Sequence, residues 1–145
     1  MPILSPEGQA AARDMDAFSI VSTLMRDVMR LEDSLSTFEL ATPKLLEPRS
    51  LNVRDAIREI AMAAEQIELA IWVDATRSWA LADSIRMRTA LLWEEWENAK
   101  GERCLWLAQA RAGPTRRQLR AIRLLCETLK LEMILGQQPA HSKSA

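Results

Sequence analysis

At 145 residues, 48% of them hydrophobic and 27% charged, the chain has the size of one domain and enough apolar side chains to bury a core, which excludes a chain that fails to collapse. Nineteen basic against twenty acidic side chains leave a formal net charge of -1, so no global positive field holds a nucleic acid or an anionic membrane, and any such binding has to come from a local patch. With 4 glycines and 6 prolines, the composition is also too poor in loop formers for a low-complexity protein.

Glycine and proline cluster at residues 2–8, at Pro43 and Pro48, at Gly113-Pro114 and from Gly136 to Pro139, and these clusters divide the chain into helical blocks. In the first block Ala17, Val21, Leu24, Val28, Leu31, Leu35 and Phe38 alternate steps of four and three, the spacing of a narrow apolar seam on one helix face. A long first helix is therefore predicted to end near Leu40. Residues 41–50 hold two prolines and read as a connecting loop, pinned to the core by Leu45 and Leu46.

A second helix is expected from about Val53, with Ser50 or Asn52 as its cap and Asp55 in its first turn, where the helix dipole favours negative charge. Its seam, Val53, Ile57, Ile60, Ala64, Ile67 and Ile71, is the cleanest heptad in the chain. Between Val53 and Ala112 there is no proline and only Gly101. A single helix of that length would span about 90 Å at about 1.5 Å per residue, too long for a domain of this size, so a reversal is placed at Asp74-Ala75-Thr76. The third helix carries Leu81, Ile85, Leu92, Trp96 and Ala99, with Arg88 interrupting the stripe, and it ends at Gly113-Pro114. Thr115 and Gln118 form a capping box that starts a fourth helix at Arg116. Leu119, Ile122, Cys126, Leu129 and Met133 make its seam, and Gly136 supplies a left-handed cap. Residues 1–136 are thus expected to be one all-α, up-down four-helix bundle with heptad-like seams, followed by a disordered tail at 137–145.

Apolar side chains beyond the seams, among them Ile20, Met25, Met29, Met62, Leu69 and Leu91, widen the stripes past one face. The bundle is therefore expected to self-associate, as a homodimer or other homo-oligomer, or to bury that surface on a protein partner. Five tryptophans, Trp72, Trp79, Trp93, Trp96 and Trp106, fall within thirty-five positions. Trp96 is assigned to the core, and Trp79, Trp93 and Trp106 are the candidate interface anchors.

The start of the chain has no basic leader followed by an apolar run, which disfavours a signal peptide. No stretch approaches the roughly 18 to 20 apolar residues that cross a bilayer, since Asp74, Arg77 and Asp83 interrupt the most apolar region. Cys104 and Cys126 sit in apolar helical patterns and read as free packing thiols of a reducing compartment, so a cytoplasmic protein without membrane contact is expected. Fifteen arginines against four lysines suggest a bacterial genome rich in GC.

Enzyme chemistry finds few residues to work with. The one histidine, His141, lies in the tail, which removes triads, zinc sites and the Glu-x-x-His di-iron bundles, and there is no glycine-rich phosphate loop. One carboxylate pattern stands out: Glu65 and Glu68 one turn apart on the second helix, Glu94 and Glu97 one turn apart on the third. An antiparallel pairing of those helices would gather four oxygen ligands around Mg²⁺. The spacing resembles the all-α nucleotide pyrophosphohydrolases of the MazG-like group, whose Glu-x-x-Glu pair is followed after a gap by Glu-x-x-Asp. The likeness covers about thirty-three residues, departs at Glu97, and implies a Mg²⁺-dependent nucleotide hydrolase held by Glu65, Glu68, Glu94 and Glu97. The plainer reading of the same four is a solvated helix face, and on that reading neither metal nor cofactor is expected.

The strongest charge asymmetry is late: Arg111, Arg116, Arg117, Arg120 and Arg123, with no acid until Glu127. Arg116, Arg120 and Arg123 share one face at steps of four and three. That face fits a solvated surface partly neutralised by Glu94, Glu95 and Glu97, an acidic protein partner, or a phosphate backbone. The expectation preferred here is a non-enzymatic adaptor or regulator that docks a protein partner with Trp79, Trp93 and Trp106 as anchors and Arg116, Arg120 and Arg123 as a steering patch. A nucleic-acid accessory factor and the Mg²⁺-dependent hydrolase are the alternatives.

Overall fold

Four helices that are each apolar along one narrow stripe hide those stripes by turning them toward a common axis. The computed structural model describes residues 6–39, 43–71, 76–97 and 109–136, and its four long helices are α1 (Pro6–Glu39), α2 (Pro43–Ala70), α3 (Thr76–Glu97) and α4 (Ala112–Gly136). Helix α1 packs on α2 and α4, and α3 packs on α2 and α4, so the four form a closed ring. Contacts at both ends of a pair run in opposite senses. Phe18 meets Lys130 while Ser36 meets Arg116; Glu68 meets Arg86 while Arg54 meets Trp93; Arg77 meets Glu132 while Trp96 meets Thr115. Only three residues separate the end of α1 at Glu39 from the start of α2 at Pro43, and the two helices pack along each other, so α2 folds back beside α1. Neighbours are therefore antiparallel, the arrangement of an up-down bundle.

Every seam residue predicted for the first, second and fourth helices is buried, from Ala17 to Phe38, Val53 to Ile71 and Leu119 to Met133. The break between the second and third helices also falls where compactness requires it: α2 ends at Ala70 and Thr76 is the first residue of α3. Asp74 and Ala75 lie outside the described residues. The seam of α3 keeps Ile85, Leu92 and Trp96 as expected but passes one position later at two of its steps. Ala82, Ile85, Thr89, Leu92 and Trp96 are buried, Leu81 is half-buried and Arg88 is exposed, so the heptad passes through Thr89 and Arg88 interrupts nothing. Thr89 is tolerated inside because its hydroxyl donates to the Arg86 carbonyl at 2.9 Å. Ala99 is outside the described residues.

Proline misled the prediction of helix starts twice. Residues 43–50 are helical, not a loop, because Pro43 opens α2 at the position where a missing N–H costs nothing. Pro48 comes early enough that the helix gives up a single bond to the carbonyl of Lys44. Ser50 and Asn52 accordingly stand inside α2 and cap nothing. The side chains of Leu45 and Leu46 lie outside what is described. Likewise Pro114 sits in the first turn of α4, which begins at Ala112 and not at Arg116; Gln109 and Ala110 before it are already helical. The Thr115 amide donates to the Arg111 carbonyl at 2.8 Å and Thr115 is fully buried, so the expected Thr115–Gln118 capping box does not form. Gly136 ends α4 outside the left-handed region, so it is not the cap expected there.

One polar contact crosses the core. Trp96 Nε1 donates to Thr115 Oγ1 at 3.1 Å, with both residues fully buried, and the Phe38 ring stands 5.9 Å from the Trp96 ring at a 60° tilt. Three helices thus meet at Trp96, the largest buried side chain of the core. Beside it Gln109 Nε2 donates to the Phe38 carbonyl at 3.3 Å, satisfying an acceptor in the last turn of α1.

Candidate functional site

With Thr115, Leu119, Ile122 and Cys126 turned to the axis, the steps of four and three that link Arg116, Arg120 and Arg123 carry them along the flank of α4 that meets α1. There they line an open cleft of about 590 Å³ together with Arg117 and Gly113 from α4 and Glu32, Asp33 and Ser36 from α1. Two of the four guanidinium groups are anchored. Arg123 Nε lies 3.5 Å from Glu32 Oε2, a pair only 28% and 14% exposed, and Arg116 Nη1 donates to Ser36 Oγ at 3.1 Å. Arg117 and Arg120 are exposed, and among the described residues no carboxylate pairs with either. Four cations facing two carboxylates leave the cleft net positive, so it attracts anionic groups while the chain as a whole is slightly acidic.

The acids that temper the arginines are therefore Glu32 and Asp33 of α1, not the Glu94, Glu95 and Glu97 run expected from the sequence. Those three carboxylates are exposed on α3, and the contact made there is from Arg111 Nη1 to the backbone carbonyl of Glu95, at 2.8 Å. Sequence reasoning missed Glu32, Asp33 and Ser36, because their part in the cleft depends on which helix neighbours α4.

The tryptophans do not join this site. Trp79 and Trp93 are half-buried against the core on the side of α3 that meets α2, with the Arg54 guanidinium 5.6 Å above the Trp93 ring. The α2–α3 side and the α1–α4 side are opposite faces of the ring, so one contiguous surface does not hold both the tryptophans and the arginines. Trp96 is in the core as predicted, and Trp72 and Trp106 lie outside the described residues.

Nor are the four glutamates brought together. Arg54 lies over Trp93, so Glu94 stands at the height of Arg54 on α2, and Glu68 is about 21 Å farther along that helix at about 1.5 Å per residue. Glu68 is engaged with Arg86, which also bonds Asp83 at 2.8 Å; the Asp83 bond first and Glu68 second raise the guanidinium pKa above its ordinary value. Glu65, Glu94 and Glu97 are exposed. Among the described residues no group of three or more His, Cys, Asp or Glu side chains gathers as a metal site. His141 and Cys104 lie outside them.

Cys126 is a free, buried thiol in the seam of α4, and burial first, then the charge of Glu127, pushes its pKa up to about 12. A thiol so held is a packing group and not a nucleophile. A second groove of about 580 Å³ between α1 and α2 has an apolar floor of Leu31, Phe38, Val53 and Ala56 and a rim that includes Asp27, Arg30 and Glu59. Among the described residues no helix is long and apolar enough to cross a membrane. Comparison of the chain with family models, curated proteins and solved structures finds no match.

Proposed function

We propose that the protein is a non-enzymatic, self-associating helical-bundle adaptor of the cytoplasm that docks an acidic protein partner through the cleft between α1 and α4. The observation that carries this reading is the division of labour among the four arginines. Arg116 and Arg123 are held by Ser36 and Glu32 and give the cleft a fixed wall, while Arg117 and Arg120 are free of carboxylate partners among the described residues. An unpaired guanidinium recognises a carboxylate through two parallel N–H···O bonds. Glu32 and Asp33 oppose any anion in the cleft, a phosphate backbone as much as a carboxylate, so co-purification is what separates the protein partner from the nucleic-acid alternative. The hydrolase alternative loses support from the separation of Glu65 and Glu68 from Glu94 and Glu97.

Co-purification from the native host with wild type and Arg120→Glu tests the proposal. The expected result is one protein in fixed ratio that is lost in the variant and at raised salt. A co-purifying nucleic acid lost in the same variant would move the assignment to the nucleic-acid reading. Partners retained equally by both proteins would end the cleft's role.

A further inference from the structure

Six of the nine exposed large hydrophobic side chains among the described residues belong to α3 and α4. They follow a second heptad on the side opposite the core. Ala80, Met87, Leu91 and Glu94 are exposed along α3, and Arg117, Leu124, Leu131 and Leu135 along α4. Met87, Leu91, Leu124 and Leu131 are 53–60% exposed and fall in line along the two helices, an apolar stripe and not scattered surface residues.

The contacts Arg77–Glu132 and Trp96–Thr115 fix the relative heights of the two helices. Glu94 stands level with Arg117, Met87 with Leu124, Ala80 with Leu131, and Leu91 between Arg117 and Leu124. From these heights we infer that the α3–α4 face is an isologous interface with a second copy of this chain. A two-fold axis parallel to the bundle lays α3 of one protomer antiparallel on α4 of the other and preserves height. Met87 then meets the partner's Leu124, Ala80 meets the partner's Leu131, Leu91 packs beside the partner's Leu124, and Glu94 meets the partner's Arg117. Such a pairing is self-complementary in charge and in size, with small Ala80 opposite large Leu131. Translating one protomer by a heptad would set Glu94 against Leu124, which fixes the register.

This inference rests on the self-association in the proposed function and names its surface. Sedimentation and light scattering over a concentration series test it, with far-UV circular dichroism showing that each variant keeps its helix content. Wild type is expected to dimerise, and Leu124→Glu or Leu91→Glu to raise the dimer dissociation constant about tenfold or more. Glu94→Arg and Arg117→Glu are each expected to raise it about two- to fivefold, and the double swap to restore it. A strictly monomeric wild type would overturn both this pairing and the self-association. A dimer indifferent to all four substitutions, or charge variants that the double swap fails to rescue, would overturn the pairing alone and leave self-association by another face.

Discussion

Replacing Thr115 by Val probes the contact that positions the start of α4. The hydroxyl accepts from Trp96 Nε1 at 3.1 Å, and both residues are fully buried, so the variant leaves an indole N–H in the core without its acceptor. Val is close to Thr in shape, so the cavity contribution is small and the cost is that of one unsatisfied buried donor, about 1–3 kcal/mol. For a domain of this size each kcal/mol lowers Tm by roughly 2–4 °C, which predicts a fall of roughly 2–12 °C. Trp96→Phe removes the donor instead, at the further cost of the lost ring volume. The Thr115→Val/Trp96→Phe pair then carries that volume loss without the orphaned N–H, so the two single losses should exceed the double loss by about 1 kcal/mol or more. Urea unfolding followed by circular dichroism measures all four proteins and avoids the change in tryptophan emission. Thr115→Val at wild-type stability, or losses that add within about 0.3–0.5 kcal/mol, would refute the contact and with it the height of α4 against α3. Arg116, Arg117 and Arg120 stand in the turns that follow, so the variant should also weaken binding at the cleft.

Cys126 gives a prediction in pH. Its folded pKa of about 12 lies above an ordinary value near 9.0, so the unfolded chain loses this proton first as pH rises. The stability it contributes is whole below about pH 9 and falls by about 1.4 kcal/mol per unit between there and 12. The difference between wild type and Cys126→Ala isolates that slope from lysine titration, and a constant difference over the range would contradict the burial. Glu32→Gln removes one of the two carboxylates in the cleft and is expected to tighten binding of polyglutamate about 1.5- to 5-fold in fluorescence anisotropy. Weaker binding by Glu32→Gln would mean that Glu32 serves mainly to hold Arg123. Calorimetric titration with Mg²⁺ is expected to give no saturable heat, since Glu94 and Glu97 stand far from Glu65 and Glu68; stoichiometric binding lost in Glu68→Gln would reopen the hydrolase reading.

The core was legible because its signal is periodic. Val53 to Ile71 needs no knowledge of neighbours to show which side is apolar, and a heptad over several turns averages out single exceptions. In α3 the same logic chose Leu81 and met Arg88 because Thr89, a polar residue satisfied by the Arg86 carbonyl, does not look like a core position. Helix starts failed at Pro43 and Pro114, since proline ends a helix from within but is at home in its first turn, and sequence alone does not say which applies. The arginines of the cleft were visible as a charge run, whereas Glu32, Asp33 and Ser36 were not. Those residues lie some eighty positions away, and nothing local marks a flank of α1 as the neighbour of a flank of α4. The glutamate quartet failed for the converse reason: the paired spacing is right on each helix, but antiparallel packing sets the two pairs at different heights.

The two surfaces of α4 also constrain each other. Its flank toward α1 carries the cleft, its outer stripe carries the pairing inferred for a second copy, and Arg117 stands on the border and belongs to both. With the two-fold axis parallel to the bundle, α3 and α4 of each protomer form the middle layers and the two α1–α4 clefts open on opposite edges of the dimer. A single short acidic segment then reaches only one of them, so the second cleft adds no avidity for that segment. What the dimer gains is the capacity to hold two acidic partners at once, a bridging role that a monomer lacks. The two surfaces also differ in their response to salt. Contacts to Arg120 weaken over a screening length of roughly 8 Å at physiological ionic strength, while Leu124 and Leu131 bury apolar area that salt does not screen. Raising ionic strength should therefore release the partners and leave the dimer in place, whereas Leu91→Glu, on α3 and outside the cleft, should separate the protomers, free Arg117 from the partner's Glu94 and leave each cleft binding one partner.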